Sequence, residues 1–506
     1  MYVHSSISRR TASRGFALVA MALAVDGCAS GMMSGDAARD GEAGDVAAMD
    51  GFDPDAEFID EAPDPIDDFN EPLDVVDDAP SDAGVVDAGP PPVPLATPIR
   101  YLVIITKENH TFDNMFFDFP GVASRPPARA TTSTGATVTL ATATLDFHYL
   151  HQIGHPNVPV DPSHTHASAL DSYHGGRMDR FDQAGNVGNV PFYHYPESQV
   201  RNYWAYARNF VLADNYFATF LGPSLPGHLV AVAGYSPAMG NQACPAGATC
   251  PADQCDPTTP ARVQIFNGVT CNVAASTVRP CFNVPIVTDN LPDGITWRTY
   301  GNVPMRYIRS IHDNDSFTSH WHSPLTLIND LRRGDMANVT FLNGGFGGPS
   351  EHPPEHPCAG ENHTVDVINA IIDGGHWNET AIVLSYDDWG GWYDHVRPAV
   401  TACASAAQGP FNPGFRLPLI IISPYARRGT TTPNLVYHTR TEQASVARLV
   451  AELMRSPGDA PVFLHTRNPQ ARDEAAGSLL GAFDFTQTPR APLRLTTRTD
   501  CPASPP

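Results

Sequence analysis

Ile99-Arg-Tyr-Leu-Val-Ile-Ile-Thr106 runs without a break into Lys107-Glu108-Asn109-His110-Thr111-Phe112-Asp113-Asn114. The first half is a short apolar run rich in β-branched residues, which suits a strand covered on both faces. The second half sets polar side chains at the strand's end, where burial is costly unless something uses them. Two further runs repeat the first half, Thr380-Ala-Ile-Val-Leu-Ser385 and Leu417-Pro-Leu-Ile-Ile-Ile-Ser423. Around them, apolar residues take up helical spacing: Val365, Ile368 and Ile372 before the stop Gly374-Gly375; Val446, Leu449, Val450 and Leu453; and Val200, Tyr203, Trp204 and Ala207 within 199–209. Buried strands alternating with amphipathic helices predict an α/β domain. Its central sheet is expected to be largely parallel and flanked by helices, with active-site loops past the strands' carboxyl ends.

The whole chain has 506 residues and is 42% apolar, enough for a large core, and no run of 18 apolar residues offers a membrane-spanning helix. The formal charge of −23 is unevenly spread: residues 36–87 hold 19 acids against one Arg and residues 1–35 carry +2, which leaves −7 for residues 88–506. That balance indicates neither a nucleic-acid-binding surface nor an unusually acidic body. Residues 31–94 are Asp, Ala, Gly and Pro with scattered apolar residues and read as a flexible, self-repelling tether; they lack the ligand order of an EF-hand.

Arg9, Arg10 and Arg14 precede the apolar run Gly15–Val25, the plan of a bacterial secretory signal, and Val25-Asp26-Gly27-Cys28 is similar to a lipoprotein signal whose Cys is lipidated. An ordinary signal with a coincidental Cys is the alternative. The expected localisation is therefore exported: an outer-membrane or cell-surface lipoprotein, or a secreted protein. Eight cysteines remain, Cys244, Cys250, Cys255, Cys271, Cys281, Cys358, Cys403 and Cys501, an even set in a chain sent to an oxidising compartment. Five fall within residues 244–281 and suggest a disulfide-rich loop insertion; a zinc site there would lack any repeated C-x-x-C pair. The pairing is open, and residues 240–345 are too irregular to assign.

Past the second strand comes Tyr386-Asp387-Asp388-Trp389-Gly390-Gly391-Trp392-Tyr393-Asp394-His395-Val396. Adjacent carboxylates at a strand end repel each other, and a cation is the usual relief. A third segment, Gly222-Pro223-Ser224-Leu225-Pro226-Gly227-His228, puts a hydroxyl in a Gly/Pro turn before an apolar helix-like run. Ser224 reads either as a helix cap or as a nucleophile, and the turn would also aim backbone N–H groups at a phosphate.

In order along the chain, these segments resemble the bacterial phosphoesterase family that contains phosphatidylcholine-type phospholipases C and a group of acid phosphatases, distant relatives of the alkaline phosphatase superfamily. The resemblance covers roughly residues 98–455. It rests on Glu108 to Asn114; on Asp161-Pro-Ser-His164 running to Gly175-Gly-Arg-Met178-Asp179; and on Asp214-Asn215-Tyr216-Phe217 leading to Gly222-Pro223-Ser224. It continues with Ser350-Glu351-His352-Pro353-Pro354 and with Tyr386 to Val396. It implies an alkaline-phosphatase-like catalytic domain over 95–506, behind a signal at 1–27 and the tether at 28–94.

By the same resemblance, the metal ligands are Glu108, Asn109, Ser224, Asp387 and Asp388, with Ser224 also the nucleophile and the metal a divalent ion of unknown identity. The catalytic histidines map to His164 and His352. His164 has neighbours His148, His151, His155, His166 and His174 as rivals, His352 has His356, and a third histidine is open among His312, His320 and His322. Asp394 and His395 are read as orienting the acid loop, and Asp113 and Asn114 as capping a turn. Four departures stand out, one being Asp388 in the place of the phospholipases' more frequent Glu. Ser224 replaces the phospholipases' Thr, as in the phosphatase branch; Gly227-His228 replaces Asn-Arg; and Gln443 removes a histidine.

The implied function is hydrolysis of a phosphoric ester, phospholipid or small phosphomonoester. No nucleic-acid partner is expected, and membrane contact is expected only through a lipid at Cys28. A non-catalytic adhesion lipoprotein is the alternative, as is a sulfatase-like hydrolase, though the Cys-x-Pro-x-Arg nucleophile motif of sulfatases is missing.

Overall fold

The computed structural model describes residues 93–501, apart from 145–160, 186, 247, 249, 251–253, 268–271, 302–303, 315–318, 344–347 and 400–412. The segments expected to be signal and tether lie outside the described residues up to residue 92, Cys28 included, as do Cys271, Cys403, His148, His151 and His155.

A seven-stranded sheet forms the centre. In chain order its strands are β1 (Tyr101–Lys107), β2 (Val211–Ala213), β3 (Trp297–Thr299), β4 (Val339–Asn343), β5 (Thr380–Tyr386), β6 (Leu419–Ile422) and β7 (Leu435–Tyr437). Their order across the sheet is β7-β2-β6-β5-β1-β4-β3. All pairings are parallel except those on either side of β6, which runs antiparallel to β5 and β2. The sheet is thus largely parallel, as the apolar runs predict. The reversal of β6 left no mark in them, because a strand buried on both faces reads alike in either direction.

Among the helices are α1 (Phe112–Phe116), α2 (His166–Tyr173), α3 (Arg201–Asn209), α4 (Ser224–Ala233), α5 (Pro357–Asp373) and α6 (Ala444–Leu453). Thr111 caps α1, its hydroxyl accepting from Asn114 N, so neither Asp113 nor Asn114 is the cap. α5 ends at Gly374, as its stop signal predicts. In the insertion, Cys244 pairs with Cys250 and Cys255 with Cys281, while Cys358 at the start of α5 is bridged to Cys501 near the chain's end.

The loops at the strands' carboxyl ends are fastened by one buried cation. Arg416 NH2 donates to Asp113 Oδ1 (2.7 Å), its Nε to Asp394 Oδ2 (3.1 Å) and its NH1 to the Asp214 carbonyl (3.1 Å). Asp113 also accepts from His395 Nδ1 at 2.7 Å. Asp394, read in sequence with His395 as orienting the acid loop, is thus joined to Asp113 through Arg416, and His395 binds Asp113 directly. Removing the guanidinium would strand two buried carboxylates. Arg416→Met is expected to lower unfolding stability by about 3–5 kcal/mol, read as a shifted denaturant midpoint at an unchanged slope.

Candidate active site

The site follows from the register of two strands. β1 and β5 are parallel neighbours with Lys107 opposite Tyr386, so Glu108-Asn109 and Asp387-Asp388 leave the sheet side by side. The ladder runs one step further, Asp387 N donating to the Lys107 carbonyl at 3.0 Å. Asn109 then turns into the left-handed region (φ 71°) and donates its own N–H to Asp387 Oδ1 at 3.1 Å. A non-glycine residue is rarely held there, and such strain concentrates at functional sites. Asp388 N adds a second bond to Asp387 Oδ1 at 2.7 Å, and Asp388 Oδ1 accepts from Gly390 N at 2.6 Å. Gly390 (φ 60°) cannot be exchanged freely, since a Cβ there would stand 2.0 Å from the Asn109 carbonyl oxygen.

On the other flank of β1, the loop after β4 brings in His352, with the Ser350 carbonyl accepting from Glu108 N at 3.1 Å. The residues just before Glu108 and His352 form a buried pair, Lys107 Nζ standing 3.3 Å from Glu351 Oε1. Tyr386 OH donates to Glu351 Oε2 at 2.8 Å and Tyr203 OH to Oε1, so the loop carrying His352 is tied to the strands carrying the acids.

Ser224 opens α4, and its Oγ donates to Asp388 Oδ2 at 3.1 Å. Its hydroxyl makes no cap bond to the helix backbone, so the geometry does not support the plain cap reading. Gly227, one turn on, touches the acid loop so closely that a Cβ would meet the Asp387 carbonyl oxygen at 2.0 Å. Gln443 closes the contact, its Nε2 donating to that same carbonyl and its Oε1 accepting from Thr219 N at 3.1 Å. The residue that counts in sequence as a lost histidine thus ties the serine turn to the acid loop.

His164 and His352 face each other with ring centroids 5.4 Å apart. Each donates Nδ1–H to a carbonyl of its own loop, Pro162 at 3.0 Å and Pro353 at 2.6 Å, which leaves Nε2 to carry or receive a proton. Asn109 Nδ2 lies 3.4 Å from His164 Nε2. Among the described residues their rivals are engaged elsewhere: His166 on the Leu221 carbonyl (2.5 Å), His174 on Asp179 (2.5 Å), and His356 as the cap of α5, accepting from Cys358 N at 3.0 Å. His320 stacks on Trp297 and His322 leans on Tyr300, while His312 sits on the short helix Arg309–Asp313. The third histidine at the acids is His228, on α4, which in sequence registers only as a departure from Asn-Arg. Its signal is the four-residue spacing from Ser224, which sets both on one helix face.

Glu108 is 6% exposed, Asp387 0% and Asp388 1%. Burial, with Asp388 and Glu108 alongside, pushes Asp387 up to about 8; burial pushes Asp388 to about 7. Burial would also raise Glu108, but His228 and His352 hold it below the usual carboxylate range. Burial would lower His228, yet Glu108 and Asp387 hold it above its ordinary value. Asn109 Oδ1, Asp387 Oδ2 and His228 Nε2 are buried here without a hydrogen bond. Orphaned donors beside clustered acids fit a divalent cation. A cavity of about 310 Å³ lined by Val287, Leu291, Val450 and Met454 shares no residue with this cluster.

The model of the phosphoesterase family matches residues 99–455. The chain is 24% identical to "Phospholipase C B" of Mycobacterium tuberculosis, an alignment covering 79% of this chain and 80% of that one. It is 22% identical to "Non-specific phospholipase C6" of Arabidopsis thaliana (80% and 74%) and 23% identical to "Non-hemolytic phospholipase C" of Pseudomonas aeruginosa (78% and 58%).

The close approach at Gly227 yields a test. Gly227→Ala leaves every polar group in place but forces α4 and the acid loop apart. The expected outcome is a loss of turnover of at least about 100-fold in a protein that still unfolds cooperatively, since a misplacement near 1 Å has that cost.

Proposed function

The chain belongs to the phosphoesterase family and hydrolyses phosphate esters, and we propose that it does so through Ser224 as nucleophile at a divalent-cation site. The observation that carries this reading is the Ser224 hydroxyl held 3.1 Å from a buried acid, Asp388, where the parallel strands end. Glu108, Asn109, Asp387 and Asp388 would hold the cation together with Ser224; when bound, such an ion lowers a hydroxyl's pKa and neutralises phosphoryl charge. Asp388, already the acceptor of the Ser224 hydroxyl's hydrogen bond, takes that proton as Oγ attacks phosphorus. As the Oγ–P bond forms and the bond to the leaving oxygen breaks, His164 or His352 delivers a proton to that oxygen. Water, deprotonated by the same histidine, then attacks phosphorus; the Oγ–P bond breaks as Asp388 returns its proton to Oγ, which restores Ser224 and releases phosphate or phosphomonoester.

Two substrate classes are proposed. The names of the relatives favour a phospholipid; Ser224 in the place of Thr favours a small phosphomonoester. Purified protein assayed on phosphatidylcholine and on an aryl phosphomonoester, with and without chelator, separates them. The proposal includes export: residues 1–27 removed, a lipid on Cys28, and the acidic segment 28–94 as spacer for the catalytic domain of 95–506.

Nucleophile, cation and anchor can each be tested separately. Ser224→Ala is expected to abolish turnover by several orders of magnitude with the fold intact, while Ser224→Thr retains measurable activity; phosphate trapped on Ser224 during turnover would be found by mass spectrometry of acid-quenched enzyme. Near-normal activity in Ser224→Ala overturns the mechanism. Glu108→Gln and Asp387→Asn are expected to lose bound metal, and full activity in metal-stripped enzyme overturns the cation. Cys28→Ser is expected to move the protein from the membrane fraction to the soluble fraction at unchanged turnover; a wild type found wholly soluble overturns the anchor.

A further inference from the structure

His228 comes into the acid cluster from the same helix face as Ser224, one turn further along α4, and is 1% exposed. Its Nε2 stands 3.4 Å from Asp387 Oδ2 and 3.7 Å from Glu108 Oε1, and neither ring nitrogen makes a hydrogen bond. Asp387 Oδ2 and Asn109 Oδ1 share that condition. An imidazole N–H donating to a carboxylate sits closer, at roughly 2.7–3.2 Å. The longer separations are those of two donors bound to one ion, since tetrahedral ligands with bonds of roughly 2.0–2.1 Å stand about 3.4 Å apart along an edge.

The donor atoms of Glu108, His228 and Asp387 lie within 4.8 Å of one another. They come from three separate elements, the ends of β1 and β5 and the first turns of α4, so no single loop conformation explains their convergence. The backbone that carries the ring is pressed against the acid loop, where a Cβ on Gly227 would stand 2.0 Å from the Asp387 carbonyl oxygen.

We propose that His228 is a nitrogen ligand of the cation at Glu108 and Asp387, and that it makes the site select zinc-type ions over calcium and magnesium. The inference rests on the reading that these acids hold a cation, and adds the identity of that ion. Oxygen-only sets suit calcium and magnesium, whereas imidazole suits zinc, iron, copper and nickel. With His228 in the set, the ligands are no longer the five oxygen donors of the family pattern but a mixed nitrogen and oxygen group.

The test uses the full-length protein, stripped of metal by chelation and titrated calorimetrically with Zn²⁺ or with Ca²⁺ as the wild type, His228→Gln and Glu108→Gln. His228→Gln is expected to lose at least about 100-fold in Zn²⁺ affinity, the scale attached to groups that hold a metal ligand, while its Ca²⁺ affinity stays within about threefold. Glu108→Gln is expected to weaken both. Co²⁺-loaded wild type is expected to show visible absorption bands that shift in His228→Gln. Unchanged Zn²⁺ affinity and Co²⁺ bands in a folded His228→Gln would overturn the inference and leave the acid site standing. Unchanged metal binding in Glu108→Gln would instead overturn the proposed cation site itself. Should His228→Gln fail to fold, X-ray absorption of the Zn²⁺-loaded wild type decides: imidazole scattering in the metal's shell supports the inference, and an oxygen-only shell refutes it.

Discussion

Everything about this molecule's centre depends on holding Glu108, Asp387 and Asp388 together away from water. The ligand oxygens of Glu108 and Asp387 lie within 4.8 Å of each other, and two like charges at that range repel by roughly 3 kcal/mol or more at an effective dielectric near 20. The backbone supplies the constraint. Two parallel strands in register fix where the acids emerge, and three N–H groups, from Asn109, Asp388 and Gly390, accommodate part of the negative charge on the two aspartates. His228 supplies what the backbone does not. The left-handed turn at Asn109 is a local cost of the same arrangement.

Around that centre the polar interior divides into two buried networks with separate tasks. The Arg416 network ties α1, the acid loop and the turn before the serine segment into one unit. The network of Lys107, Glu351, Tyr203 and Tyr386 lies on the other side and couples the first strand to the loop carrying His352. Burial lowers the pKa of Lys107 and raises that of Glu351, so the pair is held by its mutual contact and the two phenols rather than by solvent. Each network connects residues hundreds of positions apart, and so the site exists only in the completed fold.

Much of this is legible in the sequence where one residue type signals one thing. Apolar runs at 99–106, 380–385 and 417–423 became β1, β5 and β6, and the helices expected at Val365–Ile372 and Val446–Leu453 lie within α5 and α6. Glu108, Asn109, Asp387 and Asp388 stand out because adjacent acids and strand-end polar groups are costly without a purpose, whereas the roles read for Ser224, His164 and His352 come from the resemblance to the phosphoesterase family. What stays hidden depends on direction or on partners far along the chain. A buried strand does not announce its polarity, as β6 shows. His228 is passed over when its dipeptide is compared with a family pattern; the informative comparison is with Ser224 four residues earlier. The irregular segment 240–345 hides a hairpin, Val263–Asn267 with Asn272–Val278, because short strands stapled by disulfides need little periodicity.

The contact of Gly227 with the Asp387 carbonyl has a consequence for how such an enzyme can be altered. With helix and acid loop pressed together there is no slack at the floor of the site, and even a methyl group cannot be accommodated. Novelty in leaving-group choice must therefore be sought in the walls. The span from Gly234 to Asn338, which holds the hairpin and two of the disulfides, leaves the sheet after α4 and returns to it at β4, and among its described residues only the edge strand β3 joins that sheet. That span also reaches the floor, Asn241 Oδ1 accepting from Leu225 N at 2.9 Å, so grafting or shortening it is a different kind of experiment from mutating a single residue of the acid loop.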